Sequence, residues 1–261
     1  MSNPSDFHVF QWEKAPFSGL SVSCNEQSDY LIFLLHGYQG DAQSNLEFAC
    51  ELAQRVPDAQ VVVPNGLRMI PKFNDWHKRQ WWDLPEEADG SALWGFSDQA
   101  PASQRVLIEE MVPRIHFTAG VLNRFVLNVA QESGKSLKQC AVAGISQGGM
   151  TAFDMVLFRR ELNTVENPLG ALVIIGAGIT KAERLLTPLN LPKIPVMLAG
   201  GNQDEIFPQK VNDFSENLLE KQGLPVFRTQ SDSVHFGLEH TVKDAVGVFL
   251  NEIWQKIESL P

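Results

Sequence analysis

The chain has 261 residues, 44% of them hydrophobic and 20% charged, which excludes a wholly disordered polymer and supports a buried core without disulfides or metal. The 31 acids against 21 bases leave a formal charge of −10, and this argues against a nucleic-acid or anionic-membrane surface, since either needs a basic footprint. Cys24, Cys50 and Cys140 form no CxxC pair, the start MSNPSDFHVFQWEK has no basic or long apolar stretch, and no apolar run approaches about 18 residues. A cytoplasmic protein with no membrane span is the expectation.

In chain order, residues 7–12 and 19–24 read as a weak hairpin. Tyr30 to Leu35 (YLIFLL) is a continuous apolar run of the kind buried on both faces of a parallel sheet. Ser44-Asn-Leu-Glu47 reads as a capping box opening a helix from Asn45 to Arg55. Gln60 to Val63 is a short strand, and after an irregular stretch Ala102 to Glu132 is mostly helical, broken or kinked at Pro113. Cys140 to Ile145 is a strand followed by a helix to about Arg160; Ala171 to Ile175 and Ile194 to Ala199 are strands. A helix from Pro208 to Gln222 stops before Gly223, and Val226 to Thr229 is the last strand. Thr241-Val-Lys-Asp244 reads as the opening of a final helix, with Val242, Val246, Phe249, Ile253 and Ile257 on one stripe. Strands alternating with helices predict an α/β fold, a mostly parallel sheet covered on both faces, and no linker divides residues 1–261 into more than one domain. Ligands in such sheets bind beyond the carboxyl ends of the strands, so the loops after Leu35, Ile145, Ala199 and Thr229 are where chemistry is expected.

Gly144-Ile-Ser146-Gln-Gly148-Gly149 fits G-x-S-x-G between a predicted strand and a predicted helix. The sharp turn holds the serine in a strained backbone, and side chains two residues to either side would clash. A serine hydroxyl needs a base oriented by a carboxylate, in the order Ser, Asp/Glu, His. Only His235 and His240 follow Ser146. His240 is preferred as the base because it sits just before the predicted last helix; His235, nearer the strand end, is the fallback. Asp204 lies in a turn beyond a buried strand and is the preferred carboxylate, with its neighbour Glu205 as the alternative. Asp154, Asp213, Glu216 and Glu220 fall on predicted helix surfaces and are expected to be solvated. The backbone N–H groups of Tyr38 and Gln147 are the expected oxyanion donors, and His36 is read as a structural loop residue.

Leu35-His-Gly-Tyr-Gln-Gly-Asp41, the Gly144–Gly149 block, Gly200-Gly-Asn-Gln-Asp-Glu-Ile-Phe-Pro208 and Phe236-Gly-Leu-Glu-His240 together resemble the signature blocks of the phospholipase/carboxylesterase family of α/β-hydrolases. Arg79-Gln-Trp-Trp-Asp83 resembles that family's R-x-W-F-D stretch. The resemblance implies a single α/β-hydrolase domain, hydrolysis of carboxylic esters or thioesters without a cofactor, a triad of Ser146, Asp204 and His240, and oxyanion donors at Tyr38 and Gln147. The chain departs from the family's usual pattern at Gly200-Gly201, where His-Gly is common, and at Ile145, where Phe is common.

Trp76, Trp81, Trp82 and Trp94 crowd into an irregular stretch, residues 66–100, which is a candidate lid or substrate wall, with Trp81 and Trp82 as candidate substrate-binding residues. Gly176-Ala-Gly178 lacks the context of a phosphate loop and is read as a tight turn, and no Cys/His cluster suggests a metal. The expected partner is a small or lipid-like ester. An acyltransferase or peptidase on the same triad is the alternative, and a non-catalytic binding protein on a hydrolase scaffold is a second.

Overall fold

The apolar runs become the centre of a sheet. In the computed structural model, which describes residues 7–71, 77–159, 164 and 167–258, the elements are as follows. Strands β1 (His8–Lys14), β2 (Phe17–Ser23) and β3 (Tyr30–Leu35) lead into α1 (Leu46–Arg55), β4 (Ala59–Pro64), β5 (Arg68–Met69) and β6 (Arg79–Gln80). Helices α2 (Gly90–Leu93) and α3 (Ala102–Glu132) precede β7 (Cys140–Ile145), α4 (Gln147–Phe153) and β8 (Ala171–Ile175). The chain ends with β9 (Val196–Gly201), α5 (Gln209–Lys221), β10 (Val226–Ser231) and α6 (Leu238–Glu258).

The main sheet has the order β1-β2-β4-β3-β7-β8-β9-β10, antiparallel through β1, β2 and β4 and parallel from β4 to β10. Every residue of β3, β7, β8 and β9 is buried, as expected for strands covered on both faces. Side chains alternate between two cores. Phe33, Leu35 and Val142 pack with Met111, Leu122 and Phe153 beneath α3 and α4, while Ile32, Leu34 and Ala143 pack with Phe48, Leu52, Val246 and Leu250 beneath α1 and α6. The register pairs Leu35 with Gly144, Ile145 with Ile175, and Ile175 with Ala199, so the loops after β3, β7, β8 and β9 leave the sheet along one edge. The expected mostly parallel α/β sheet is the fold found. No helix among the described residues is long and apolar enough to cross a membrane.

Several local expectations change. Helix α3 runs unbroken through Pro113, because buried Ile108, Met111, Ile115, Ala119 and Leu122 anchor it on both sides of the missing N–H. The Ser44–Glu47 capping box does not form. Asn45 is the N-cap without a side-chain bond, and Ser44 turns back, its N–H donating to Asp41 Oδ1 at 2.7 Å and its Oγ accepting from Asp41 N–H at 2.9 Å. Helix α4 ends at Phe153 and widens into a π turn over Asp154–Phe158. Asp154, expected in solvent, is buried there and bonded to His116 Nδ1 at 2.8 Å and Arg184 Nη1 at 2.9 Å. Asp213 and Glu216 both pair with Arg228. Helix α6 starts at Leu238, ahead of the expected Thr241 opening, and Thr241 lies inside it with Oγ1 donating to the Leu238 carbonyl at 2.7 Å.

Candidate active site

Where β7 hands over to α4, Ser146 takes φ 50° and ψ −115°, a positive-φ conformation that residues other than glycine rarely adopt. Such strain costs on the order of 1–3 kcal/mol and persists only where its surroundings dictate it. Here the Ser146 N–H donates to Ile175 O at 2.9 Å and the Ser146 carbonyl accepts from Met150 N–H at 3.0 Å. The flanking glycines are required by contact. A Cβ on Gly144 would lie 2.5 Å from Gly148 O, and one on Gly148 would lie 2.3 Å from Leu35 O. The loop after β3 presses on the same turn: a Cβ on Gly37 would sit 3.4 Å from the Ser146 Cβ.

Two further loops bring a base and a carboxylate to Ser146. His235 Nε2 lies 2.9 Å from Ser146 Oγ, and His235 Nδ1 lies 2.8 Å from Asp204 Oδ2. Asp204 is buried, and its other oxygen accepts from the N–H groups of Ile206 at 2.9 Å and Phe207 at 2.8 Å, a donor set suited to a carboxylate. The alternative, Glu205, is exposed. The loops carrying Asp204 and His235 are stitched together by Gln203 N–H to Ser233 O at 3.0 Å and Asn202 N–H to Ser231 O at 2.9 Å. That approach requires glycine at 201, where a Cβ would meet Ser233 O at 2.3 Å. At 200, where a Cβ would meet Asn212 Nδ2 at 2.0 Å, α5 has taken the space a side chain would need. The rings of Phe207 and Phe236 flank the imidazole at 5.6 and 5.5 Å.

The preference for His240 is thereby corrected to the fallback, His235. Because α6 starts at Leu238, His240 lies in its first turn and faces α1, where Nδ1 meets Glu51 Oε2 at 2.7 Å. Partial burial pushes the Glu51 carboxyl up, but hydrogen bonds from Lys243 and His240 outweigh it and hold the group below the usual carboxylate range. The signal that could have chosen His235 was its place in the short loop directly after β10.

These residues open onto a cleft of about 420 Å³. Tyr38, Gln39 and Gly40 line it on one side, Trp82, Leu84, Leu93, Met150, Ile206 and Phe207 supply an apolar wall, and Gln147 lies beside Ser146. Trp82 lines this cleft, whereas Trp81 does not. The Trp81 ring is fully buried, stacked on His36 at 4.7 Å, with Nε1–H donating to His36 O at 2.7 Å. Trp76 lies outside the described residues. Among the described residues of the 66–100 stretch, Lys78, Trp82, Leu84 and Leu93 line the cleft.

His36 is structural, as read from the sequence. Its Nε2 accepts from Gly66 N–H at 2.8 Å, which leaves the proton on Nδ1 to donate to Gly37 O at 2.7 Å. Complete burial, only partly opposed by the Gly37 carbonyl and the Asp41 charge, lowers its pKa to about 4. No group of three or more His, Cys, Asp or Glu among the described residues is placed to hold a metal ion.

Comparison with known proteins bears on this arrangement. The family model described as phospholipase/carboxylesterase matches residues 20–246. No curated protein sequence matches the chain. The crystal structure of esterase PE8 is similar with a TM-score of 0.72 and 23% identity, covering 91% of this chain and 99% of that one. The Bacillus cereus carboxylesterase gives 0.65 and 17%, covering 92% and 95%, and Arabidopsis thaliana SOBER1 gives 0.64 and 15%, covering 86% and 99%. At these identities the structural likeness establishes the fold.

The buried neutral imidazole carries a pH dependence of its own. In the unfolded chain His36 titrates near 6.5, and in the folded protein near 4, so the unfolded state binds the proton first. Its contribution is present above pH 6.5 and falls away toward pH 4, by about 3 kcal/mol in all. Urea unfolding of the wild type and His36→Gln across that interval should show their stability difference shrinking as pH falls; a constant difference would contradict a neutral His36.

Proposed function

The chain belongs to the phospholipase/carboxylesterase family of α/β-hydrolase enzymes, and we propose that it cleaves carboxylic esters or thioesters through an acyl-enzyme formed on Ser146. The observation that carries this reading is the unbroken line from Ser146 Oγ through the His235 ring to the buried Asp204 carboxylate. Ser146 Oγ attacks the carbonyl carbon while its proton passes to His235 Nε2. Asp204 holds Nδ1–H and stabilises the imidazolium that forms. The tetrahedral oxyanion is received by the N–H groups of Tyr38 and Gln147. Collapse of the intermediate expels the alcohol or thiol, which takes the proton from His235. Water then enters by the reverse route, and the acid is released.

The apolar wall built by Trp82, Leu84, Leu93, Met150, Ile206 and Phe207 suits the acyl chain of a small or lipid-like ester. Each methylene buried there contributes about 0.8 kcal/mol, close to fourfold in kcat/KM while the chain still fits.

Ser146→Ala and His235→Gln should each lower kcat on p-nitrophenyl butyrate by roughly 10⁴-fold or more, whereas His240→Gln leaves it within about threefold. The reverse pattern for the two histidines would return the role of base to His240. Across a panel of p-nitrophenyl esters and acyl thioesters, Leu84→Trp and Leu93→Trp should shift the preferred acyl length downward while acetate turnover persists. An unmoved optimum in both folded variants would place the acyl chain elsewhere.

A further inference from the structure

The two N–H groups assigned to the oxyanion lie on separate elements, Tyr38 in the loop after β3 and Gln147 at the start of α4. Their spacing must be set by something bonded to both. We infer that the side-chain amide of Gln147, together with the segment Arg79–Trp82, is that brace: Gln147 acts as a positioning residue for the oxyanion site, and Trp81 as its structural partner rather than a substrate contact. This inference rests on the hydrolase reading above and adds the device that aligns its two donors.

One end of the segment grips the Tyr38 loop. Gln39, in the left-handed region at φ 68°, donates its N–H to Arg79 O at 3.0 Å, and Arg79 N–H donates to Gly40 O at 3.2 Å. The indole Nε1–H of Trp81 adds a bond to His36 O at 2.7 Å, and the ring stacks on His36. The other end grips the nucleophile turn. Trp81 N–H donates to Gln147 Oε1 at 2.9 Å, and Gln147 Nε2 donates to Trp82 O at 3.0 Å. The threonines of neighbouring helices complete the set: Thr118 Oγ1 donates to Trp81 O at 3.0 Å, Trp82 Nε1–H donates to Thr151 Oγ1 at 3.1 Å, and Thr151 Oγ1 donates to Gln147 O at 2.9 Å.

The chemistry selects an amide at 147. Accepting from one backbone N–H and donating to the next residue's carbonyl needs one acceptor and one donor on the same planar group. A carboxylate of the same length would set a second anionic oxygen against Trp82 O, and a thioether would satisfy neither partner. Gln147 is 3% exposed, so either loss leaves buried backbone groups unpaired. Because the amide acts on donors needed once the oxyanion develops, its removal raises the barrier without weakening ground-state binding.

The test uses the full chain with p-nitrophenyl butyrate and phenylboronic acid, a probe that forms a tetrahedral adduct on an active serine. Gln147→Met should lower kcat by about 10²-fold with KM changed less than about threefold, and weaken the boronate in parallel. Trp81→Phe, which keeps a ring but removes the bond to His36 O, should do the same to a smaller degree. In Gln147→Glu, boronate affinity relative to wild type should recover as pH falls, because the protonated carboxyl regains a donor. Amide exchange of residues 37–40 should accelerate in Gln147→Met, a readout that needs no turnover and replaces kinetics if the variant folds poorly. Unchanged exchange there, or a rise in KM with kcat preserved, overturns the brace. Turnover by wild type that survives Ser146→Ala overturns the hydrolase reading instead.

Discussion

The contact between two stretches of bare backbone governs this structure. Gly144 at the end of β7 backs so closely on Gly148 in the first turn of α4 that a methyl on it would lie 2.5 Å from Gly148 O, and a methyl on Gly148 would lie 2.3 Å from Leu35 O of β3. That approach lets the chain reverse from strand to helix in one residue, and it forces Ser146 to a positive φ. The serine is lifted out of the sheet edge and held there by the adjacent strand through its own N–H. Strain of this kind is stable only because β7 lies in the middle of the sheet, with β3 and β8 bonded on either side.

Everything around the serine is then a matter of which loops leave the same edge. The parallel register aligns the ends of β3, β7, β8 and β9, so the loop after β3, the turn at Ser146 and the loop holding Asp204 become neighbours although they are far apart in sequence. The last loop, with His235, is drawn in by backbone bonds to the loop of Asp204. A neutral His36, bonded at both ring nitrogens, and the indole stacked on it make a fully buried floor under the first of these loops. Two neighbouring indoles of the 66–100 stretch take different tasks, Trp81 sealing that floor and Trp82 lining the cleft.

Much of this was legible in the residues. Continuous apolar runs marked the buried parallel strands, and the boundaries of β3, β7 and β8 match the runs that predicted them. The glycine spacing around Ser146 announced a strand-to-helix turn, and the position of Asp204 beyond a buried strand placed its carboxylate at the sheet edge. The errors share a cause. Ser44–Glu47 and Thr241–Asp244 both carry the residue pattern of a capping box, yet neither forms one. Asp41 competes successfully for Ser44, and the chain enters α6 three residues ahead of Thr241. Asp154 was placed in solvent because a regular helix would have pointed it there, whereas the π turn brings it inward to His116 and Arg184.

The amino-acid sequence by itself determined the α/β alternation, the tight turn at Ser146 and the place of Asp204 beyond a buried strand, because each depends on local steric limits or on burial of a contiguous run. Only the tertiary structure decided which histidine stands at the serine. A shift of three residues in the start of α6 rotates one imidazole onto Glu51 and leaves the other in the loop facing Ser146, and helix starts are set by packing against the body as much as by capping residues. The same holds for Trp81 and Gln147, whose partners are more than sixty positions apart and meet only when the sheet edge assembles.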